Sequence, residues 1–398
     1  MKYIAILLAG AADVPSEELG DKTPLEVAKI PHLHALAKSG RVGTVRLASE
    51  RFSAMPDAAL LSFFGYEAEK IYTGRAPLEA ADLELKLEAN EVPFRVNFVT
   101  ESAGRLADPT AGKISNKESR ALMNFLNKKL ASDFVRFFAG TGHRHIAVIK
   151  DAHGYEALSA KTTPPHEMIG EPVDAHYPKG PGSELLKKLM SDAKLLLQDH
   201  EINQVRIDLQ ENPANLIWFW GQGRMVQLEK FSQEYGLSGA LISDAEYARG
   251  IGRLSGMTVI EASEAEGELA DVYEKKSRQV LDAIEEKDFV CLHLTECDRA
   301  SRDGDLRAKI SGLEAADYFI LSKIKNYLDK AKEVRLLVTP IHASSWKQRK
   351  RLKDAVPFVM AGKNLMPGDT EKFTEIAAKS SELKSKSSDL LRQFLAHH

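Results

Sequence analysis

Short apolar runs recur along the chain, and most of them end in a turn or polar cluster that leads into a segment with helical spacing. The runs that we predict to be strands cover residues 3–8, 145–149, 216–220, 257–261, 289–294, 334–338 and 356–360. Apolar runs separated by helical segments are typical of strands that are buried on both faces. The pattern therefore predicts an α/β fold with a mainly parallel sheet and helices on both faces.

Helical spacing of apolar residues is clearest over residues 24–39, 184–200 and 268–286. In the first segment Leu25, Leu33 and Leu36 recur at that spacing, and Gly40 is placed to end the helix. The other two segments carry charged residues on the outer face, as surface helices do. We predict one helix over each of the three segments.

Composition excludes several classes of protein. The chain has 398 residues, 43% of them hydrophobic and 28% charged, as in a globular protein of two domains or of one domain with an insertion. Its 54 basic and 57 acidic residues give a net charge of −3, so no basic field favours nucleic acid or an anionic membrane. No apolar run approaches the roughly 20 residues of a membrane span. With only Cys291 and Cys297 as cysteines, we predict a cytoplasmic protein without disulfides.

Longer sequence words at 17–26, 62–66, 72–80, 94–100, 212–215 and 218–223 point to a known family. In these words, for example Tyr-Thr-Gly-Arg-Ala-Pro-Leu-Glu-Ala at 72–80, the chain resembles the archaeal-type, cofactor-independent phosphoglycerate mutases of the alkaline phosphatase superfamily. Several words in one order are far more specific than a single glycine-rich motif. The resemblance implies an alkaline-phosphatase-like core at 1–80 and 200–398, with a smaller α+β domain inserted at 81–199.

The resemblance also implies a phosphoryl-transfer site in which two divalent cations, usually manganese, flank a serine that accepts the phosphoryl group. Such a site takes carboxylate and imidazole ligands. Among the seven positions that the family uses, the two that match are Asp298 and His342. The five that differ are Ala9, Pro56, Arg302, Ile341 and Arg351. The side chains of Ala9 and Ile341 cannot bind a cation, and Pro56, at the nucleophile position, has no hydroxyl group.

We therefore expect no intact catalytic residue and at most a residual metal site at Asp298 and His342. A shift of the alignment by one residue restores single positions, at Ser53, Asp57 or Asp303. Arg302 and Arg351 place fixed positive charge where neutral imidazoles would hold a metal, which favours the binding of an anion. The candidate anion-binding residues are Arg75, Arg95, Arg144, His145, Arg206, Lys276, Arg302 and Arg351.

Two hypotheses about function follow. In the first, the chain is a non-catalytic relative of the glycolytic mutase that converts 3-phosphoglycerate to 2-phosphoglycerate. It would need no cofactor, and it would bind a small phosphorylated or carboxylate metabolite, a protein partner or an active paralogue. In the second, the chain is an active mutase or a related phosphate-ester metalloenzyme with a rebuilt site and two manganese or zinc ions per chain.

Some residues have a structural interpretation beside the functional one. Arg302 and Arg351 are also suited to ion pairs with Asp298. His143 and His145 share one face of a predicted strand, which is weak evidence for zinc. The basic run at 347–353 fits a solvated loop better than a nucleic-acid or acidic partner. Trp218 and Trp220 fit core packing better than ligand stacking.

Overall fold

The computed structural model of the chain describes residues 1–47, 51–52, 55–151, 156–262 and 268–396. The chain divides into two compact units. The first unit comprises Met1–Tyr72 and Leu228–His398, and the second comprises Thr73–Gln227. That residues 81–199 form a domain of their own stays a prediction.

In its described residues, the N-terminal part of the first unit forms two strands and four helices. They are β1 (Lys2–Leu8), α1 (Pro24–Val27), α2 (Pro31–Ser39), β2 (Arg41–Arg46), α3 (Pro56–Phe63) and α4 (Ala68–Ile71). The prediction of a single helix over 24–39 is wrong, because the segment forms α1 and α2. Proline disfavours the α conformation in the residue before it, and Ile30 has φ −122° and ψ 60° just before Pro31 begins α2. Thr23 and Glu26 form a capping box at the start of α1.

The second unit is built on an antiparallel sheet with helices packed against it. Its elements are α5 (Arg75–Asp82), β3 (Glu91–Ser102), β4 (Arg105–Asp108), α6 (Asn116–Leu130), β5 (Val135–Phe138), β6 (Arg144–Lys150), α7 (Val173–His176), α8 (Ser183–Gln198), α9 (Glu201–Asp208) and β7 (Leu216–Trp220). The strand order is β4-β3-β6-β5, and β7 also pairs with β3. Trp218 and Trp220 are buried in this unit, as the packing interpretation predicts. Short 3₁₀ turns lie at Glu17–Leu19 in the first unit and at Ala157–Ser159 and Pro165–Glu167 in the second.

The C-terminal part of the first unit contains the remaining elements. They are α10 (Phe231–Tyr235), β8 (Gly239–Ser243), α11 (Glu246–Leu254), β9 (Thr258–Glu261), α12 (Leu269–Glu286), β10 (Phe289–Leu294), α13 (Glu296–Asp303), α14 (Leu306–Ala315), α15 (Ser322–Lys330), β11 (Val334–Thr339), β12 (Ala343–Ser345), β13 (Lys350–Leu352), β14 (Val356–Gly362), α16 (Glu375–Ser380), β15 (Lys384–Lys386) and α17 (Leu390–Leu395). A π-helical segment, Ala316–Leu321, joins α14 to α15.

The eight-stranded sheet of the first unit has the order β15-β2-β14-β11-β1-β10-β8-β9. β1 lies inside it and pairs in parallel with β10 and β11. The β1 side chains from Tyr3 to Leu7 have no exposed surface, because the sheet is covered where they lie. β14 pairs antiparallel with β11 and β2. The predicted α/β class with a mostly parallel sheet is confirmed.

The carboxyl ends of β1, β10 and β11 meet at one edge of this sheet, because the three strands are parallel neighbours. β1 leads into Ala9 and Gly10, β10 leads into α13, and β11 leads into the hairpin of β12 and β13. Loops at the carboxyl ends of parallel strands are where ligand sites form in α/β proteins. Side chains on α13 and on the hairpin are therefore the first to consider for a site.

Candidate functional site

Asp298 lies at the point where α13 meets the β12–β13 hairpin. α13 carries Asp298 and Arg302 four residues apart, and the hairpin places Ser344 directly opposite Arg351. The loop after β1 approaches closely: Gly10 has φ +73°, and a Cβ atom there would lie 2.5 Å from the Asp298 Cα. Only glycine fits this position, since it has no Cβ and adopts positive φ readily.

Two arginines and a serine surround the Asp298 carboxylate. Arg351 binds it through both oxygens, with Nε 3.1 Å from Oδ1 and Nη2 2.7 Å from Oδ2. Arg302 Nε lies 3.3 Å from Oδ2, and the Ser344 hydroxyl donates to Oδ1 at 2.8 Å. Burial raises the pKa of Asp298, but the neighbouring charges, chiefly Arg351, outweigh burial and hold the pKa well below its usual range. The carboxylate therefore stays ionised.

His342 lies beside this carboxylate, with Nε2 3.9 Å from Asp298 Oδ1. Burial lowers the pKa of His342 to about 4, although the Asp298 charge opposes this effect. His293, on β10, is buried as well, and burial likewise lowers its pKa to about 4. Its Nδ1 lies 2.9 Å from the Ser243 hydroxyl. Both imidazoles are therefore neutral at physiological pH.

Lys276 is the third predicted residue in this unit that could face an anion. Its ammonium group is buried, 2.6 Å from Glu296 and 3.9 Å from Asp244. It also lies 5.6 Å from the centre of the Tyr273 ring. Two carboxylates thus already balance this charge, so Lys276 is a poorer candidate for anion binding than Arg302 or Arg351.

A buried ion pair anchors the hairpin that carries Arg351. Lys309 Nζ donates to Asp13 at 2.7 Å and to the Ser344 carbonyl at 2.6 Å. The same Asp13 oxygen accepts from the Trp346 backbone N–H at 3.2 Å. Lys309 and Asp13 thereby fix the backbone on both sides of Ser345, which sets the position of Ser344 against Asp298.

In the second unit, Glu79 lies between two of the predicted anion-binding residues. Its carboxylate oxygens are 3.2 Å from Arg75 Nε and 3.2 Å from Arg95 Nε. Arg75 and Glu79 are four residues apart on α5, and Arg95 on β3 stacks 4.7 Å from the Trp220 ring. Arg144 lies opposite Asn97, two residues after Arg95, so the strand register puts it on the same face. The structure thus groups Arg75, Arg95 and Arg144.

His145 and Arg206 lie apart from that group. His145 occupies the opposite face of β6, where it packs against Phe98 and accepts from the Gly140 N–H at 3.1 Å. Burial, reinforced by nearby arginine charge, lowers its pKa to about 3. Arg206 binds Glu118 and the carbonyl oxygens of Ala111 and Asn212. These contacts favour structural roles for both residues, and their assignment to anion binding stays a prediction.

Three of the five positions at which the sequence departs from the family carry no polar side chain. Ala9 and Ile341 are buried apolar residues, and Pro56 is the first residue of α3. Asp57, one of the positions offered by an alignment shift, accepts a hydrogen bond from the Tyr72 hydroxyl at 2.7 Å. Ser53 lies outside the described residues. Asp57 is thus already hydrogen-bonded, and Ala9, Pro56 and Ile341 have no nucleophilic side chain.

The residues present do not fit two divalent cations. Within the described parts of the chain, no group of three or more His, Cys, Asp or Glu side chains is arranged to hold a metal ion. His342 keeps a buried Nε2 that suits a metal, but Asp298 is occupied by Arg351, Arg302 and Ser344. A metal site needs several ligands that are free to coordinate it. Asp298 and His342 alone therefore do not make the site that the resemblance implies.

Three residues of this region escaped the sequence analysis: Ser344, Lys309 and Asp13. Ser344 and Asp13 follow the ends of β11 and β1, where polar residues after a buried strand are a usable signal. Lys309 is fully buried although it lies on a helix, α14, and nothing in the spacing of its neighbours marks it.

Comparison with known proteins identifies the family. A family model described as 2,3-bisphosphoglycerate-independent phosphoglycerate mutase matches residues 37–203. A protein of that name from Methanothrix thermoacetophila is 36% identical over 398 residues, which covers 100% of both chains. A probable mutase of the same name from Geobacter sulfurreducens is 36% identical over 96% of this chain and 94% of its own.

This chain belongs to the 2,3-bisphosphoglycerate-independent phosphoglycerate mutase family. The solved structure of the Thermoplasma acidophilum cofactor-independent phosphoglycerate mutase matches with a TM-score of 0.62 at 22% identity, covering 99% of each chain. A Pyrococcus horikoshii protein matches with a TM-score of 0.81 at 24% identity, covering 99% of this chain and 96% of its own. The mutase family and its fold are thus both established for this chain.

The comparison corrects one expectation about function. We expected a non-catalytic chain because five positions of the mutase site differ. Relatives from Methanothrix and Methanosarcina, 34% to 36% identical over nearly the whole chain, are named as phosphoglycerate mutases. These names point to enzyme activity, so the expectation of a non-catalytic chain is wrong.

Over the described residues, none of the helices has the length and apolar character needed to cross a membrane.

Proposed function

We propose that the chain is an enzyme that interconverts 3-phosphoglycerate and 2-phosphoglycerate, or acts on a closely related phosphate ester, at a site rebuilt around Asp298. Support comes from the match to mutases over the whole chain, together with two guanidinium groups gathered at the ends of β1, β10 and β11. The observation that carries the proposal is the Asp298 cluster, defined as Asp298, Arg302, Arg351, His342 and Ser344. It brings positive charge and a hydroxyl group together in one place.

Each member of the Asp298 cluster has a role that its chemistry supports. Arg302 and Arg351 hold the phosphate group, since guanidinium forms strong charge-assisted hydrogen bonds with phosphate oxygens. They also stabilise the negative charge that is shared among the oxygens during transfer. Asp298 positions Arg351, and Lys309 with Asp13 positions the hairpin. Ser344 is the hydroxyl of the cluster and the candidate acceptor of the phosphoryl group. Its oxygen bonds to phosphorus as the bond between phosphorus and the substrate oxygen breaks, and its proton passes to that leaving oxygen.

The experiment measures conversion of 3-phosphoglycerate to 2-phosphoglycerate by the purified chain, both with EDTA and with added Mn²⁺. We expect turnover in the wild type, and a loss of at least about a hundredfold in Arg351→Met, since removing one preorganised donor costs about that much. Because the Arg351→Met variant is purified in the same way, its residual turnover also measures the contribution of contaminating host mutase. Lys188→Gln, an exposed change on α8, is the matched control and keeps wild-type turnover.

Ser344→Ala tests the acceptor role separately. Loss of turnover with unchanged substrate binding supports transfer through Ser344, whereas retained turnover places the transfer elsewhere. Absence of wild-type turnover above the Arg351→Met background, in both EDTA and Mn²⁺, contradicts the proposed function.

A further inference from the structure

Three hydrogen bonds and one ion pair already surround the Asp298 carboxylate, which leaves little of it for a metal ion. An ionised carboxylate offers about four lone-pair positions. Oδ1 faces the Ser344 hydroxyl at 2.8 Å and Arg351 Nε at 3.1 Å. Oδ2 faces Arg351 Nη2 at 2.7 Å and Arg302 Nε at 3.3 Å. A divalent cation would have to displace guanidinium groups and then lie beside two permanent positive charges, which repel it.

The hydrogen-bond network assigns the proton of His342 to one ring nitrogen. Ser344 donates its single hydroxyl proton to Asp298, so its oxygen faces His342 Nδ1 as an acceptor at 3.2 Å. The other neighbour of Nδ1 is the Ala343 carbonyl oxygen at 3.3 Å, which only accepts. Because both neighbours are acceptors, the proton lies on Nδ1 and Nε2 carries a lone pair.

That lone pair lacks a donor. His342 Nε2 is buried and makes no hydrogen bond to any residue that the structure describes. A buried acceptor left unsatisfied costs free energy, so a ligand with an O–H or N–H group at this point gains affinity. The surrounding ion cluster of Asp298, Arg302 and Arg351 sums to one net positive charge, which favours an anionic ligand.

We infer that the Asp298 cluster binds a small organic phosphate that carries a neighbouring hydroxyl group, and that it does so without a divalent cation. The guanidinium groups of Arg302 and Arg351 face the anionic group, and His342 Nε2 accepts a hydrogen bond from the hydroxyl. Arg302 is the side chain through which the ligand reaches the cluster, since 45% of its surface is exposed, against 2% for His342. This inference deepens the proposed function and rests on it for the choice of phosphoglycerate as the probe.

The test compares two ligands by calorimetric titration of the full chain. One is 3-phosphoglycerate, and the other is 3-phosphonooxypropanoate, which lacks only the hydroxyl group. In excess EDTA we expect the wild type to bind 3-phosphoglycerate about tenfold more tightly, the equivalent of one satisfied buried acceptor. Replacing EDTA by Mn²⁺ leaves both affinities unchanged.

Variants test which side chains cause the difference in affinity between the two ligands. In His342→Phe the two ligands bind equally, because the acceptor is gone. In Arg302→Gln, a change at a partly exposed position that the fold tolerates, both ligands bind at least about fivefold more weakly, as expected for loss of a charge-assisted hydrogen bond. Arg299→Gln, on the same helix with 63% of its side-chain surface exposed, is the matched control and binds both ligands as the wild type does.

Equal affinity of the two ligands for the wild type overturns the inference, and so does binding that requires Mn²⁺. The results also separate it from the proposed function. Hydroxyl-dependent binding in EDTA without turnover rejects the mutase activity and keeps the binding mode. Turnover that appears only with Mn²⁺ keeps the activity and rejects the metal-free site.

Discussion

Each unit of the molecule holds one carboxylate between two arginines, but the two clusters differ in access to water. In the second unit, Glu79 lies between Arg75 and Arg95, whose side chains expose 17% and 8% of their surface. In the first unit, Asp298 lies between Arg351 and Arg302, and Arg302 exposes 45%. Each cluster therefore has two positive charges and one negative charge. Water reaches little of the Glu79 cluster, whereas it reaches the Asp298 cluster on one side, at Arg302.

The neighbours of the two carboxylates differ as well. Arg95 is stacked on Trp220, so its guanidinium is held by an aromatic ring in addition to Glu79. Asp298 instead has a neutral imidazole and a hydroxyl beside it, from His342 and Ser344. A pair of arginines on one acid is thus not by itself a ligand site. An exposed guanidinium together with a buried acceptor that lacks a donor distinguishes the Asp298 cluster.

Removing the carboxylates gives the largest expected effect. In Glu79→Ala two poorly exposed guanidinium groups lose their counter-charge, and we expect the second unit to lose about 3–5 kcal/mol of stability. In Asp298→Ala we expect a smaller loss in the first unit, about 2–3 kcal/mol, because Arg302 can turn into water. Hydrogen exchange reports the stability of each unit separately.

Ser115→Ala, which removes the capping hydroxyl of α6, serves as the calibration for this measurement, with an expected loss of about 1 kcal/mol in the second unit. A larger loss in Asp298→Ala than in Glu79→Ala contradicts the distinction between an open and a closed cluster.

Much of the fold could be predicted because its signal is local. The continuous apolar runs of β1, β10 and β11 follow from burial of the parallel strands, and all three were predicted. β12, with the sequence Ala-Ser-Ser, carries no apolar run, and it becomes a strand only because β13 pairs with it. A strand that forms only through tertiary pairing cannot be predicted from the local sequence pattern.

The candidate site was harder to predict, because its contacts are between residues far apart in the sequence. Sequence reasoning named Asp298, Arg302 and Arg351 and gave an ion pair as their structural interpretation. The anchor of the hairpin, Lys309 with Asp13, joins residues 296 positions apart. Asp13 follows a buried strand, but the sequence does not show that it pairs with Lys309. Their roles appear only when α14 and the end of β1 are brought together. The residue chemistry alone also led to the wrong expectation of a non-catalytic chain.

The stability of the two units can also be compared by its dependence on pH. In the second unit this dependence involves the buried His145. The folded pKa of His145 is lowered to about 3 by burial, whereas the unfolded value is about 6.5. The unfolded chain therefore binds one more proton than the folded chain between these values. The contribution of neutral His145 to the free energy of unfolding is fully present above pH 6.5. It is lost as the pH falls below 6.5, by up to about 1.4 kcal/mol per pH unit.

We expect His145→Asn, whose side-chain oxygen can still accept from the Gly140 N–H, to flatten the loss of stability of the second unit between pH 6.5 and 5, as followed by hydrogen exchange. The pH response of the first unit, where His293 and His342 are the buried histidines, stays as in the wild type. An unchanged slope in the second unit shows that His145 is not neutral in the folded state.

The smallest expected effect comes from replacing Arg302, and Arg95 in the other cluster is the comparison. Arg302→Gln removes a half-exposed ion pair, and we expect it to change the stability of the first unit by less than about 1 kcal/mol. Arg95→Gln removes a buried partner of Glu79 and its stacking on Trp220, and we expect a loss of about 1–3 kcal/mol in the second unit. Equal losses, measured by hydrogen exchange under the same conditions, would mean that Arg302 is held as firmly as Arg95. An arginine held that firmly is part of the framework, whereas one that costs little to remove is available to turn toward a ligand.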